Sequence, residues 1–448
     1  MNRTRTFFQS LTPFQLIVAY YAIAVSVSVG LLSLPVAHQE GVEWTFMDGL
    51  FTAVSAVSVT GLSVITVADT LTTPGIFILM FVLQFGGIGV MTLGTFVWLI
   101  VGKRIGLRER RLIMADQNQY ALSGIVNLMK QVLFLILIIE FCGGMILGTY
   151  FLNYYPTWQE AYLHGFFNSV SATTNGGFDI TGASMIPYAD DYFIQFVIIL
   201  LITLGAIGFP VLIEVKTFLF SKKGKYRFSL FTKLTTVTYA LLVVGGTIMI
   251  ALLEYQFFFS GKSWHESFFY SLFQSTATRS GGLATMDVSL FSEATLLVMC
   301  ALMFIGASPS SVGGGIRTTT FALNLLALYH FAKGNKTIKI FKRELHEDDV
   351  KKSLVVTLMA FVLCFGSVFI LSITEKFTLI EILFEVCSAF GTTGLSMGIT
   401  AELSTIGKCI IMVLMFIGRI GLVTFIYIIG SKASKPNYHY PKERVIIG

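Results

Sequence analysis

A pattern of eight residues occurs four times in this apolar chain and constrains its fold more than any other feature. It reads Ser or Thr, Ala, four variable residues, Gly, then Leu or Phe, and its copies begin at Ser55, Ser171, Thr276 and Ser388. By subtraction, the aligned glycines are 116, 105 and 112 residues apart, at Gly61, Gly177, Gly282 and Gly394. Repetition at a nearly constant period indicates one structural unit that is used four times.

Composition indicates a membrane protein and argues against an enzyme. Hydrophobic residues make up 54% of the chain and charged residues 12%, whereas a soluble protein carries about 25% charged residues. The five cysteines have no metal-binding or redox spacing. The sequence contains no catalytic triad, Walker loop or dinucleotide fingerprint. We therefore predict a polytopic membrane protein that is not an enzyme.

The net charge of +6 is informative through its distribution. Lys and Arg cluster near both termini and in three intervening segments, at 103–111, 216–233 and 333–352. Because such clusters mark cytoplasmic loops, we predict a multi-pass protein of the plasma (inner) membrane with both termini cytoplasmic. The Gly loops then face the outer side. A second interpretation, in which the basic segments bind lipid headgroups, coexists with the first.

Each copy of the pattern lies within the same order of predicted elements. An apolar helix comes first, at 14–34, 128–152, 234–259 and 353–374. A short amphipathic segment follows, at 44–57, 158–173, 264–278 and 378–390. After the Gly loop, a second apolar helix ends the unit, at 74–101, 192–220, 294–330 and 405–430. We therefore divide the chain into repeat 1 (1–111), repeat 2 (112–227), repeat 3 (228–345, with a broken inner helix) and repeat 4 (346–448).

The short segments determine the predicted fold class. A helix needs about 20 residues to cross the hydrocarbon core, and these segments are shorter. Non-helical backbone at membrane depth is tolerated only where protein or water surrounds it. We predict an all-α integral membrane fold with four helix–pore-loop–helix repeats around one central pore. It has eight full spans and four re-entrant half-helices.

The Gly loops have the composition of a cation path. Glycine permits positive φ and leaves room for backbone carbonyls to face an axis, where they replace the hydration shell of an ion. No Asp or Glu lies within the loops, which favours a monovalent cation and leaves both potassium and sodium open. Arg279, the one cationic residue in the loops, is predicted to point away from the axis. The predicted filter residues are Val59, Thr60, Gly61, Asn175, Gly176, Gly177, Ser280, Gly281, Gly282, Thr392, Thr393 and Gly394.

The second apolar helix of repeat 3 contains a predicted gate. Pro309 and three consecutive glycines break a helix at mid-membrane, and Arg419 lies in the matching segment of repeat 4. An intramembrane Arg is costly and is a candidate functional residue. The alternatives are a kinked helix that only packs and an Arg that only caps carbonyls. We predict intact inner helices in repeats 1, 2 and 4, and Arg317 as an anchor near the cytoplasmic face. The predicted gate residues are Gly306, Ala307, Ser308, Pro309, Ser310, Ser311, Val312, Gly313, Gly314, Gly315 and Arg419.

Together these features resemble the Trk/Ktr/HKT superfamily of potassium transporters. The resemblance covers residues 14–430 and rests on the four repeats, one central Gly in each loop, the broken third inner helix and Arg419. With one span before the first loop, the chain looks most like the KtrB-like membrane subunits of bacterial Ktr uptake systems. The resemblance implies channel-like potassium uptake, with potassium bound at Gly61, Gly177, Gly282 and Gly394.

The resemblance also implies partners. Members of this group form homodimers in the membrane lipid and dock on a cytosolic octameric ring of KtrA-like RCK domains that binds ATP or ADP. Nucleotide then acts only through the partner, sodium is a candidate activator, and no nucleic acid is involved. The basic segments 222–227 and 333–352 are predicted contacts for the ring.

Two other classes of function stay open at this point. The first is a secondary potassium transporter coupled to sodium or protons; few acids are available in the membrane as proton relays, which disfavours proton coupling and leaves sodium coupling open. The nearest candidates, most of them predicted near an interface, are Glu140, Glu214, Glu381 and Glu385. A purely structural membrane scaffold would not need the filter-like loops.

Overall fold

A computed structural model of the chain describes residues 13–89, 124–220, 226–335 and 337–429. It also describes the isolated residues 106, 110, 113, 114, 441, 443 and 446. Within these residues the chain is helical, apart from loops and one small hairpin in which strand Lys339–Ile340 pairs antiparallel with strand Arg343–Glu344. The chain termini and most of the linker between repeats 1 and 2 lie outside the described residues.

Each repeat begins with one long apolar helix, which we call its outer helix. The four outer helices have 20, 27, 24 and 28 residues, and about 20 residues are enough to cross the hydrocarbon core. They present large apolar side chains such as Phe134 and Phe365 at the surface, as expected where the surrounding solvent is lipid. Outer helices 1 to 4 are Pro13–Leu32, Ile125–Phe151, Leu230–Leu253 and Glu347–Thr374.

A shorter helix follows in each repeat, and its first residues explain where it begins. Thr45, Thr157, Ser263 and Thr378 cap these helices by accepting a hydrogen bond from the backbone N–H three residues later. In all but the second helix, the acid at that position bonds back to the cap and completes a capping box. The four short helices have 13 to 16 residues and are therefore too short to span the membrane. Short helices 1 to 4 are Phe46–Ser58, Trp158–Thr173, Trp264–Ala277 and Leu379–Gly391.

The inner helices that end repeats 2, 3 and 4 are interrupted. Inner helix 2 consists of Tyr192–Ala206 and Phe209–Phe220, which meet at an angle of 105°. Inner helix 3 consists of Glu293–Ile305 and Thr318–Ala332, separated by a segment that contains the predicted gating loop, residues 306–315. Inner helix 4 consists of Thr405–Ile420 and Leu422–Ile429. Inner helix 1 is described over Thr73–Gly87, two non-helical residues follow it, and the predicted range from residue 90 onwards lies outside the described residues.

The prediction of intact inner helices in repeats 2 and 4 is therefore wrong. Gly208 and Gly421 stand at the two interruptions with φ of +103° and +91°, and Gly89 occupies the aligned position in repeat 1 with φ of +94°. Positive φ is incompatible with a continuous right-handed helix, and glycine adopts it without steric cost. In repeats 2 and 4 the first half of the inner helix thus ends next to the second Gly of a G-x-x-G sequence, and in repeat 3 it ends at the gating loop.

The four repeats pack into a closed ring. One buried apolar cluster joins outer, short and inner helix 1 to short helix 2 and the loop after it. A second cluster joins repeats 2 and 3 and extends to short helix 4. A third joins repeat 4 to the start of inner helix 3's second half and to short helix 1. Because repeat 4 contacts repeat 1, the Gly loops are brought around a common centre.

Outer helix 2 and short helix 2 approach closely through glycines. A Cβ atom on Gly165 would fall inside contact distance of Gly148 and 3.0 Å from the carbonyl oxygen of Gly144. A side chain at this position is therefore excluded unless the two helices separate. Gly245 in outer helix 3 provides the opposite case, since a Cβ there meets no atom within 4 Å.

We predict that Gly165→Ala lowers the stability of the protein and that Gly245→Ala does not. Overpacking of a tight interface costs about 1–3 kcal/mol, whereas Gly→Ala in an open helix position stabilises by about 0.5–1 kcal/mol. The measurement is the thermal unfolding midpoint of each variant in the same detergent. Equal midpoints for the two variants would contradict the close approach of the helices.

Candidate functional site

The four Gly loops meet around one axis in the order of the repeats. A Cβ atom built on Gly61 would lie 2.6 Å from the carbonyl oxygen of Gly176, and one on Gly177 would lie 2.9 Å from the Cα atom of Gly282. On Gly282 a Cβ would lie 2.6 Å from the oxygen of Thr393, and on Gly394 it would collide with the oxygen of Thr60. Each loop therefore contacts the next, and the fourth contacts the first.

Each loop is folded by hydrogen bonds to the end of its own short helix. The N–H groups of Thr60, Gly176 and Thr393 donate to the carbonyl oxygens five residues earlier, at 2.8, 2.7 and 2.8 Å. In repeats 1 and 4 the first serine of the pattern also accepts from the glycine N–H through its hydroxyl, at 3.1 Å in both cases. Repeat 3 differs, because Gly281 donates to Ala277, four residues earlier. The hydroxyl bonds explain the serine that begins the pattern in repeats 1 and 4, whereas the hydroxyls of Ser171 and Thr276 donate to the carbonyl oxygens of Phe178 and Leu272.

Two residues in every loop have positive φ. The central glycines have φ of +89°, +66°, +67° and +92° in repeats 1 to 4. Two positions earlier, Val59, Asn175, Ser280 and Thr392 have φ between +46° and +70°. For β-branched residues such as Val59 and Thr392 this conformation is a genuine outlier. Strained backbone of this kind is characteristic of functional sites.

The carbonyl oxygens of the filter residues receive no hydrogen bond from any residue that the structure describes. These residues are buried, apart from Gly61 and Gly394, which are partly exposed. Buried carbonyl groups are normally paired, so a set of unpaired ones around an axis fits a cation that loses its water. Among the described residues, no group of three or more His, Cys, Asp or Glu side chains is placed so that it could hold a metal ion. The oxygen atoms available to an ion here are backbone carbonyls, together with the buried Thr392 and Thr393 hydroxyls, which have no partner among the described residues.

Arg279 lies behind the third loop and bonds to an inner helix. Its side chain is fully buried, and its guanidinium donates to the carbonyl oxygens of Leu302 and Gly306, the second at 3.3 Å. Both carbonyls lie at the end of the first half of inner helix 3, where that of Leu302 also accepts from the N–H of Gly306 at 3.1 Å. This position agrees with the prediction that Arg279 points away from the axis.

The gating loop fills the gap in inner helix 2. Ser308 donates its N–H to the carbonyl oxygen of Ala206 at 3.0 Å, and Val312 donates to that of Gly205 at 3.3 Å. In return, the first residue after the gap donates to the gating loop at 2.8 Å. The backbone N–H and carbonyl groups at the interruption of inner helix 2 are therefore hydrogen-bonded to the unwound backbone of inner helix 3. Backbone groups inside a membrane need such partners because lipid supplies none.

The gating loop also contacts the filter directly. The Ser280 hydroxyl donates to the carbonyl oxygen of Gly391 at 2.8 Å and accepts from the N–H of Gly314 at 3.3 Å. A Cβ atom on Gly314 would lie 2.6 Å from the Thr392 hydroxyl oxygen. The gating loop thus lies against the loops of repeats 3 and 4.

Arg419 joins three repeats through backbone carbonyls. It lies in inner helix 4, two residues before the interruption at Gly421. Its guanidinium donates to Ser311 of the gating loop at 3.4 Å and to Gly86 of inner helix 1. Both acceptors are backbone carbonyls, one in the unwound segment of inner helix 3 and one near the end of the described part of inner helix 1.

Arg317 is a residue whose contacts the sequence prediction missed. Its guanidinium donates to the carbonyl oxygens of Ser308, at 3.4 Å, and Gly313, so it bonds to the gating loop and is not only an anchor near the cytoplasmic face. The signal was present in the sequence, because Arg317 follows the three glycines by two residues. The long side chain of Arg317 lies close in sequence to the carbonyl groups of the unwound gating loop and can donate to them, as that of Arg419 does.

Two of the four acidic candidates are more deeply buried than predicted. Glu140 is 4% exposed and accepts from the side-chain amide of Gln84 at 2.8 Å. Glu385 is 1% exposed and accepts from two hydroxyl groups. Glu381 caps its helix, and Glu214 accepts from the N–H of a residue at the start of outer helix 3 at 3.1 Å. The four acids bond to different partners, although Glu381 and Glu385 lie one turn apart on short helix 4.

The predicted ring contacts are only partly within the described residues. Residues 221–225 lie outside them, whereas 337–352 form the small hairpin and the first turn of outer helix 4. Lys351 and Lys352 there lie 3.7 and 3.9 Å from Glu347 and Asp349. Such exposed pairs contribute little to stability, and these residues present charge of both signs at the surface.

Comparison with known proteins identifies relatives over the whole chain. The family model TrkH, described as cation transport protein, matches residues 2–436. Ktr system potassium uptake protein D of Bacillus subtilis (strain 168) is 71% identical over 440 residues, which are 98% of each chain. Ktr system potassium uptake protein B of the same organism is 34% identical over 98% of this chain and 97% of the relative. The sequence is therefore more similar to the relative named D than to the one named B.

The fold also has a solved counterpart. The crystal structure of the potassium transporter TrkH from Vibrio parahaemolyticus matches with a TM-score of 0.73 at 19% identity. The match covers 94% of this chain and 86% of that chain. The prediction of an all-helical membrane fold with re-entrant helices is confirmed at this level.

We predict that Arg419→Gln loosens the gating loop. The variant loses charge-assisted bonds to two carbonyls, each worth about 1.5–3 kcal/mol, so amide hydrogen exchange of residues 306–315 should be faster by about tenfold or more. The measurement is hydrogen–deuterium exchange with mass spectrometry in lipid nanodiscs. Lys408→Gln, on the first turn of the same helix, serves as the control. Identical exchange of the loop in both variants would show that Arg419 does not hold it.

Proposed function

Because the chain belongs to the TrkH family of cation transport proteins, we propose that it is the membrane subunit of a Ktr-type potassium uptake system. Family membership makes it a multi-pass membrane transporter and not an enzyme. The names of the two relatives supply potassium as the transported ion. The observation that carries the proposal is the closed ring of four positive-φ glycines lined by carbonyl oxygens without donors.

The proposed filter acts through backbone oxygens. An ion that enters between the loops exchanges its water for the carbonyls of residues 59–61, 175–177, 280–282 and 392–394. The carbonyl ends of the four short helices point towards these loops, and each adds a partial negative charge that favours a cation. The loops read VTGL, NGGF, SGGL and TTGL. They are shorter than the TVGYG filter of potassium channels, so fewer oxygen layers discriminate potassium from sodium.

The proposed gate is the gating loop with Arg419 and Arg317. The loop lies directly below the filter residues Ser280 and Thr392 and is bonded to inner helix 2. In this position it obstructs the path and must move before an ion passes. Arg419 stabilises the obstructing position through its bonds to inner helix 1 and to the loop. Its positive charge adds an electrostatic barrier below the filter.

We propose that a cytosolic partner controls this gate. The chain would form a homodimer in the plasma membrane, with both termini cytoplasmic, and dock on a KtrA-like octameric RCK ring that binds ATP or ADP. The basic segments 222–227 and 333–352 are the proposed contacts, and sodium is a proposed activator. The division into four repeats at 111, 227 and 345 belongs to the same proposal.

A sodium-coupled secondary potassium transporter is the alternative function. Buried acids favour this alternative, because Glu140 retains one carboxylate oxygen without a partner among the described residues. Potassium flux that continues without any sodium gradient favours the channel-like mechanism, and flux that stops favours coupling.

The test of the filter is rubidium and sodium flux into liposomes that contain the purified chain. We predict that rubidium is preferred, and that Gly282→Ser weakens potassium affinity by about tenfold or more, because a misplaced oxygen ring loses at least about 1.4 kcal/mol of ion binding. A side chain at Gly282 meets the Cα atom of Gly177 at 2.5 Å and the oxygen of Thr393 at 2.6 Å.

Gly41→Ser is the matched control for the filter variant. Gly41 also has positive φ, at +85°, but a Cβ there meets no atom within 4 Å. It therefore carries the same backbone strain without crowding the axis. If both variants retain the affinity of the parent protein, or if the parent protein prefers sodium, the filter assignment is wrong.

We predict that deletion of residues 309–313 raises flux in the absence of the partner. The deletion removes the obstructing backbone and the Arg419 acceptor on Ser311, so rubidium flux should rise by about tenfold, equivalent to about 1.4 kcal/mol. Size-exclusion profiles and thermal midpoints establish that the variant is folded. Unchanged or lower flux in a folded variant would contradict the gate assignment.

A further inference from the structure

Short helix 4 carries a buried carboxylate whose partners follow the filter in the chain. Glu385 is 1% exposed. Its Oε2 atom accepts from the hydroxyl of Ser396 at 2.8 Å, and its Oε1 atom accepts from the hydroxyl of Thr400. The two hydroxyl oxygens lie 2.9 Å apart, and Ser396 also accepts from the N–H of Gly398 at 3.0 Å. Both carboxylate oxygens are thus satisfied inside the protein.

This network closes the filter loop of repeat 4 from behind. The chain leaves short helix 4 at Gly391, passes Gly394, and returns through residues 396–400 to the side chain of Glu385. On the other side, the Ser388 hydroxyl accepts from the N–H of Gly394 at 3.1 Å. The loop is therefore attached to the same helix at two points, one at Gly394 and one at residues 396–400 after it.

The other repeats lack this attachment. The residues aligned with Glu385, three positions before the first residue of the pattern, are Thr52, Asn168 and Phe273. The side-chain polar atoms of Thr52 and Asn168 have no hydrogen-bond partner among the described residues. In the part of the chain that the structure describes, a buried carboxylate that links a short helix to the segment after its filter loop occurs only in repeat 4.

We propose that Glu385 is a positioning residue that sets ion selectivity by holding the carbonyl groups of residues 392–394 at a fixed distance from the axis. This inference rests on the proposed function. Selection between two monovalent cations by an oxygen ring depends on the number and field of the carbonyls and on how far they can move. When the attachment is lost, the fourth loop relaxes and the ring adapts to the smaller sodium ion.

Three variants separate positioning from charge. Glu385→Leu removes both acceptors at similar volume, and Thr400→Val removes one donor without changing shape. Glu385→Gln keeps one acceptor and adds a donor, so hydroxyl rotation restores a closed network with Ser396 and Thr400. Glu381→Gln is the control on the same helix, because glutamine also serves in a capping box.

The measurement is the ratio of potassium to sodium affinity, obtained from competition of each ion with rubidium flux in liposomes. We expect Glu385→Leu and Thr400→Val each to lower this ratio by about tenfold, the effect of losing one or two buried hydrogen bonds. The double variant should be no worse than Glu385→Leu, since both changes break one network. Glu385→Gln and Glu381→Gln should retain most of the parental ratio.

Each outcome bears on the inference. A ratio in Glu385→Gln as low as in Glu385→Leu would show that charge and not position matters, and would overturn it. Unchanged selectivity in Glu385→Leu, in protein with a parental thermal midpoint, would also overturn it. If Glu385→Leu does not fold, the test rests on Thr400→Val. An unchanged ratio of potassium to sodium affinity in Thr400→Val would then overturn the inference. A parent protein without preference for potassium would contradict the proposed function itself.

Discussion

The absence of Cβ atoms at four positions allows four peptide segments to share one axis, and the rest of the structure depends on this contact. A Cβ atom on any of the four central glycines would meet backbone of a neighbouring loop. With glycine, the backbones touch, and their carbonyl oxygens replace side chains as the lining of the centre. The capped short helices position the loops. In repeats 1 and 4 the first serine of the pattern also accepts from the glycine N–H and fixes the loop backbone.

The interrupted inner helices impose a second constraint on the structure. Each interruption of an inner helix frees N–H and carbonyl groups that lipid cannot satisfy. Here the gating loop bonds to the gap in inner helix 2, and three arginines donate to carbonyls at the ends of broken segments. The same bonds that satisfy the backbone also connect the gating loop to three repeats. A movement of the loop therefore requires these bonds to break together, which suits a two-state element.

The sequence predicts the parts of this structure that depend on local patterns. Capping residues such as Thr378 with Glu381, the apolar length of the outer helices, and the Ser–Gly spacing of the loops all correspond to the observed elements. The breaks at Gly208 and Gly421 were missed because a G-x-x-G sequence in an apolar helix also serves close packing, and only the observed φ separates the two cases. The bonds of Arg419 to Ser311 and Gly86 join segments that are distant in the chain. Hydropathy does not report such contacts.

The central claim is that backbone oxygens of the four loops bind a monovalent cation on one axis. The most direct measurement is anomalous diffraction from crystals of the protein grown with rubidium or thallium in place of potassium. We predict an anomalous peak between the four loops, surrounded by carbonyl oxygens of residues 59–61, 175–177, 280–282 and 392–394. The absence of a peak there, with anomalous signal elsewhere in the membrane region, would contradict it.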